Sequence, residues 1–240
     1  MRENTEGFYD CTEKEVVTPK GREVTVTAHF REHAMRRLAL KSFAWAERNA
    51  RKRVTLAMKS NIQKLTGKLY ADAFMAIAEQ FPRLEARYLH VDAANALIAS
   101  DSAELDVLVT ENMYGDILSD GLAGRTGGLG LAPGANIGDT CAIFESVHGS
   151  ADDIAGKGIA NPAALMLSAS MMVRYLAERG ADIDHGCGDR IADAVRGTIA
   201  SGRHVTGDLR KYFPEGTRLC GTEEFTEAVC VRYLGARVGR

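Results

Sequence analysis

The sequence predicts an α/β protein with a layered fold, on three observations. Short runs rich in β-branched and apolar residues alternate with longer amphipathic runs between residues 33 and 120. Glycine and proline stand where helical runs end, as at Pro82 and, further along the chain, Gly180. The 240 residues are 45% hydrophobic and 26% charged, an ordinary soluble composition with room for one large domain or two small ones.

The elements follow in order. "EVVTPKGREVTVTA" (15–28) reads as two β-prone runs around Pro-Lys-Gly, a hairpin. "HAMRRLALKSFAWAERNA" (33–50) has helical periodicity, "KRVTLAMK" is a short strand, and "KLYADAFMAIAEQF" is a helix stopped by Pro82. A strand in "EARYLHV", a short helix near "ANALIA" and the strand "LDVLVT" lead into "ENMYGDILSD". "TGGLGLAPGANIG" is expected to be loop, "CAIFESV" a strand and "HGSADDIAGKGIANP" a second long loop. The helix in "NPAALMLSASMMVRYLAERG" starts at Pro162 and stops at Gly180; apolar residues run nearly all round it, which predicts burial on several sides. Two further helices fit "GDRIADAVRGTIASG" and "TEEFTEAVCVRYLG".

The composition also excludes classes of function. A net charge of −2 gives no reason to expect nucleic acid or an anionic membrane as partner. No apolar run approaches the ~20 residues that span a bilayer. The polar, acidic "MRENTEGFYD" is not a signal or transit peptide. Cys11, Cys141, Cys187, Cys220 and Cys230 are scattered and odd in number, which fits reduced thiols and a cytoplasmic location better than a disulfide frame or zinc site.

Two aspartates in "NMYGDILSD", Asp116 and Asp120, stand four apart behind Gly115, which reads as a turn former, and so share one helix face. Spacing alone leaves two readings: acids favouring a helix start, or a site for a hard cation. Lys59 follows an apolar strand, at the kind of junction where α/β proteins bind ligands, and Asp92 is a second strand-end acid after "YLHV"; a solvated side chain is the other reading of each. "GGLGLAPG" is neither G-x-G-x-x-G nor a phosphate loop, so a Rossmann site is not indicated.

"RENTEGFY", "MKSNIQK", "NMYGDILSD", "GGLGLAPGANIG", "AIFESVHGSADDIAGKGIANP" and "LSASMM" occur in this order, followed by "GTEEFTEAV". Together they resemble the β-decarboxylating dehydrogenases, the isocitrate/isopropylmalate dehydrogenase family, from residue 2 to about residue 235. "RENTEG" is closer to the isocitrate- or tartrate-like branch than to isopropylmalate enzymes, which usually read "RELTGG".

The resemblance implies the family's layered α/β fold and NAD-dependent oxidation of a 2-hydroxy di- or tricarboxylic acid, isocitrate-like, followed by decarboxylation. Arg2 is expected to grip a substrate carboxylate and Tyr9 to protonate the enolate carbon. Lys59 is expected to relay the hydroxyl proton, and Asp92, Asp116 and Asp120 to form the metal and proton-relay cluster that holds Mg²⁺ or Mn²⁺, with Asp92 catalytic as well. Lys59 and Asp92 would reach into the partner subunit's site, so a homodimer with shared sites is implied. The cofactor is expected at Asn61, Glu145, His148, Gly149, Asp153, Ile154 and Asn161. An acid at Asp153, where NADP-using members often have lysine, favours NAD. Asp152 stands where the motif usually has proline.

Full-length members carry roughly a hundred or more residues before "RENTEG", including those that select the substrate. The expectation is therefore an N-terminally truncated form of the fold. Residues 1–126 would be the small domain, with a clasp hairpin at about 7–30, and 127–240 the C-terminal portion of the large cofactor-binding domain. A separate chain supplying the missing segment, a non-catalytic dimerising subunit and an inactive remnant are the alternatives to an active enzyme.

Overall fold

The computed structural model describes residues 1–238. Its chain forms two compact units, Met1–Leu122 and Ala123–Arg240.

The first unit is built on three parallel strands in the order β4-β3-β5, with β3 (Arg53–Met58) in the centre, β4 (Glu85–His90) on one side and β5 (Val107–Thr110) on the other. β3 is buried on both faces, which is why it reads as a continuous apolar run rather than an alternating one. Val54, Leu56 and Met58 point to one face. There they join Met35, Ala39, Phe43 and Ala46 of α1 (Glu32–Arg48) and Tyr70, Ala73, Phe74 and Ile77 of α2 (Lys64–Ala78). Ala57 points to the other face and packs with Ala94 and Ile98 of α3 (Val91–Ser100) and Leu118 of α4 (Asn112–Arg125). Thr55 shares that face fully buried, its hydroxyl donating to the Leu105 carbonyl at 3.1 Å. The sheet therefore has helices on both sides, as the β/α alternation predicts.

The first residues of the chain extend this sheet. Arg2 bridges Thr110 in parallel; Glu3 N donates to the Thr110 carbonyl at 3.1 Å and Thr110 N to the Met1 carbonyl at 3.2 Å. The expected hairpin pairs β1 (Thr12–Thr18) with β2 (Gly21–Thr27) antiparallel, and nearly all of it is exposed, with Val17 82% accessible.

The second unit contains α5 (Ala163–Glu178), α6 (Cys187–Ala200) and α7 (Thr222–Val238) around Ala163, Ala194, Val195, Cys220, Phe225 and Val229. It also holds the antiparallel pair β6 (Pro133–Ile137) and β7 (Ala142–Ser146). Three expectations are corrected here. "PGANI" is a strand, not loop, because its backbone pairs with β7 despite poor local β-propensity. α5 buries one side, through Ala163, Ala164, Ser168, Ser170 and Ala177, while Leu165, Met172 and Leu176 are exposed because nothing among the described residues of this unit covers them. In the first unit, Gly115 lies inside α4, not in a turn.

Candidate active site

The C-terminal ends of the three parallel strands carry the candidate groups, the edge at which open α/β sheets bind ligands. Lys59 follows β3, Asp92 lies in the first turn after β4, and α4 begins two residues after β5.

α4 starts with a glutamate cap. Glu111 is 1% exposed, and its two carboxylate oxygens accept the N–H groups of Met113 at 3.0 Å and Tyr114 at 2.7 Å. This satisfies donors that a helix start leaves open and places an anion at the positive end of the dipole. Burial still pushes the Glu111 carboxyl above its ordinary range, against those hydrogen bonds.

One turn into the helix, Asp116 gathers two candidate side chains. Its Oδ1 accepts from Arg2 Nη1 at 2.6 Å and its Oδ2 accepts from the Tyr9 hydroxyl at 2.6 Å. The Arg2 guanidinium also lies 5.0 Å from the Tyr9 ring centre, a cation–π contact. The Asp116 hydrogen bond holds the Tyr9 phenol above its usual range, so Tyr9 stays a proton donor. Arg2 makes two more bonds, from Nε and Nη2 to Asn112 Oδ1, at 3.0 and 2.7 Å. Asp120 is exposed one turn further along the same face.

Lys59 and Asp92 form a second pair, Nζ to Oδ1 at 2.9 Å, and the lysine's hydrogen bond holds the Asp92 carboxyl below its usual range. Among the described residues no three His, Cys, Asp or Glu side chains converge as metal ligands would. One chain thus brings Arg2, Tyr9 and Asp116 together and Lys59 with Asp92, without uniting all three aspartates. Asn61 is exposed beyond β3.

Apart from Asn61, the expected cofactor residues lie in the second unit. Glu145, on β7, accepts from Asn136 Nδ2 at 2.7 Å, and its backbone carbonyl accepts the Ser168 hydroxyl at 2.6 Å, tying β7 to α5. His148, Gly149 and Asp153 are exposed; His148 Nδ1 bonds the Gly149 carbonyl at 2.8 Å. Asp152 to Ile154 make a short 3₁₀ turn. Asp152 opens it, a first-turn position that suits an acid as well as the proline usual there. Asn161, just before the Pro162 N-cap of α5, accepts the Ala163 N–H on its Oδ1 at 3.0 Å, while its Nδ2 donates to Asp208 at 3.0 Å. Gly130 of the glycine-rich run has its reason here: a Cβ on it would stand 2.8 Å from Asp208 Oδ2 and 3.2 Å from Asn161 Cβ.

The model of the family described as isocitrate/isopropylmalate dehydrogenase matches residues 1–229. The chain belongs to the isocitrate/isopropylmalate dehydrogenase family. Within this dehydrogenase family it is 40% identical over 233 residues to human isocitrate dehydrogenase [NAD] subunit alpha, mitochondrial, covering 97% of this chain and 59% of that protein. It is 43% identical over 216 residues to the 3-isopropylmalate/3-methylmalate dehydrogenase of Methanocaldococcus jannaschii, covering 87% of this chain and 61% of the relative. The crystal structure of isocitrate dehydrogenase from Methylococcus capsulatus superposes with a TM-score of 0.87 at 41% identity, over 97% of this chain and 66% of that one. The chain thus spans about three-fifths of the length of these two curated relatives, and it has the family's α/β fold.

Sequence reasoning did not single out Asn112, Glu111, Glu6, Tyr70 or Asp208. Asn112, Glu111 and Glu6 sit inside quoted motifs, which was a signal; Tyr70 and Asp208 carried none.

Proposed function

We propose that this chain carries the metal- and NAD-binding portions of a dehydrogenase that oxidatively decarboxylates an isocitrate-like 2-hydroxy acid. The observation that carries the reading is the Asp116 carboxylate holding Arg2 and Tyr9 at 2.6 Å each, with Asp120 one turn away. Arg2 supplies a guanidinium for a substrate carboxylate. Tyr9, kept protonated by Asp116, supplies the proton to the enolate carbon. Lys59, hydrogen-bonded by Asp92, relays the proton of the substrate hydroxyl.

The donor set fits a hard divalent cation, Mg²⁺ or Mn²⁺, because it is all carboxylate oxygen: Asp116 and Asp120 from one copy, with Asp92 from the second copy of a homodimer. Such an ion polarises a hydroxyl and stabilises negative charge on oxygen. For the cofactor, Asn161 has one amide N–H left for adenine after bonding Asp208. Asp153 is exposed in the loop, where a carboxylate accepts ribose hydroxyls and repels a 2′-phosphate. The relatives named for NAD support that choice. The cytoplasmic location rests on the scattered thiols; several relatives are named as mitochondrial. No helix among the described residues is long and apolar enough to cross a membrane.

Calorimetry on the purified chain tests the reading. Mn²⁺ is expected to bind the wild type and to bind Asp116→Asn at least about tenfold more weakly, as loss of a charged ligand implies. NAD is expected to bind more tightly than NADP. Unchanged Mn²⁺ affinity in the variant sinks the metal assignment, and a preference for NADP sinks the cofactor assignment.

A further inference from the structure

Asn112 is 2% exposed, and both ends of its amide are engaged. Its Nδ2 donates to the Glu6 backbone carbonyl at 3.0 Å. Its Oδ1 accepts twice from Arg2, from Nε at 3.0 Å and Nη2 at 2.7 Å. Glu6 is itself immobile: it is 2% exposed, and its carboxylate accepts the Tyr70 hydroxyl at 2.7 Å and the Arg31 N–H at 2.9 Å. The amide plane of Asn112 is therefore set from the core side, and the direction of its carbonyl oxygen follows.

A guanidinium carries five N–H donors in one plane. Asn112 takes those of Nε and one of Nη2, and Asp116 takes one of Nη1. One N–H on each terminal nitrogen is left without a partner among the described residues. Two acceptors on different sides of a planar cation fix its plane, which one acceptor does not.

We propose that Asn112 is a positioning residue: it sets the Arg2 guanidinium plane from the buried Glu6 segment, so that one N–H of each terminal nitrogen faces a substrate carboxylate. The inference rests on the substrate-binding role proposed for Arg2. It concerns how that arginine is held, and its own test needs no substrate. Asp116 anchors the cation by charge, and Asn112 orients it. Orienting a planar donor before binding removes an entropy cost from recognition.

The experiment reads the Arg2 Nε–Hε resonance by ¹⁵N NMR in the whole chain, assigned by its loss in Arg2→Lys. In the wild type it is expected to exchange slowly with water. In Asn112→Ala it is expected to exchange at least about tenfold faster, as loss of a charge-assisted hydrogen bond implies. Core amides such as those of Leu56 and Phe74 are expected to keep their positions. Asn112→Asp retains an acceptor for Arg2 but not the donor to Glu6, and is expected to exchange at an intermediate rate, faster than the wild type and slower than Asn112→Ala. Unchanged exchange in Asn112→Ala overturns the proposal. So does equal loss of protection in Asn112→Ala and Asn112→Asp, which makes Asn112 a structural tie only. Isocitrate added to the wild type separates the underlying reading: a shift of the Arg2 resonance supports substrate binding by Arg2, and its absence denies that role whichever way the exchange comparison falls.

Discussion

Gly115 lies against the stem of Arg2, so close that a Cβ built on the glycine would stand 2.5 Å from Arg2 Cγ and 2.9 Å from Arg2 Cβ. Arg2 has little freedom to retreat, because its backbone bridges Thr110 on β5 and its head is held by Asn112 and Asp116. On an open helix surface, replacing glycine with alanine stabilises by about 1 kcal/mol. Here overpacking, costing about 1–3 kcal/mol, is expected to win. Gly115→Ala should unfold at lower urea than the wild type, and a raised midpoint would show that Arg2 yields freely.

Asp92 has a pH signature with a defined sign. Its folded pKa is depressed, first by the hydrogen bond from Lys59. The folded state therefore gains from the ionised form. That contribution is present above the ordinary aspartate pKa and is lost as pH falls through the lower folded value. Lys59→Met is expected to bring the Asp92 titration, followed by carboxyl ¹³C NMR, back toward the ordinary range. Because the pair is partly exposed, salt should have the same effect in smaller measure. An Asp92 titration identical in wild type and variant would remove the pairing.

Tyr70 is fully buried, and its hydroxyl donates to Glu6, itself buried and also bonded to Arg31. Burial and then the Glu6 carboxylate push the phenol far above its ordinary range, so it remains a donor at any working pH. Tyr70→Phe leaves a buried carboxylate one donor short, at a cost of about 1–3 kcal/mol. Urea unfolding should show that loss, with an unchanged slope reporting the same compact fold. Wild-type stability in the variant would mean that Arg31 alone satisfies Glu6.

Much of the first unit was legible in the chain. "RVTLAM", "EARYLH" and "VLVT" are short runs separated by helical patterns, and in the first and last an apolar sequence agrees with burial. β6 was not legible: "PGANI" holds a proline and a glycine, and only its pairing with β7 makes it a strand. The exposed Leu165, Met172 and Leu176 of α5 were misjudged for a related reason. An apolar sequence says that a face favours burial, not that an element of its own unit covers it.

By itself the sequence determined the element order, the helix and strand periods, and an ordered set of motifs specific enough to name a family and its candidate residues. It placed Asp116 and Asp120 on one helix face, because helical spacing is a local property. The tertiary structure alone decided that Asp116 is shared between Arg2 and Tyr9, that Asn112 orients the arginine from Glu6, and that Gly115 is glycine because Arg2 lies on it. Those partners stand more than a hundred positions apart in the chain. Only the extension of β5 by the Arg2 segment brings them within hydrogen-bond reach. Such contacts depend on distances of a few ångströms in space, and residue spacing along a chain carries no record of them.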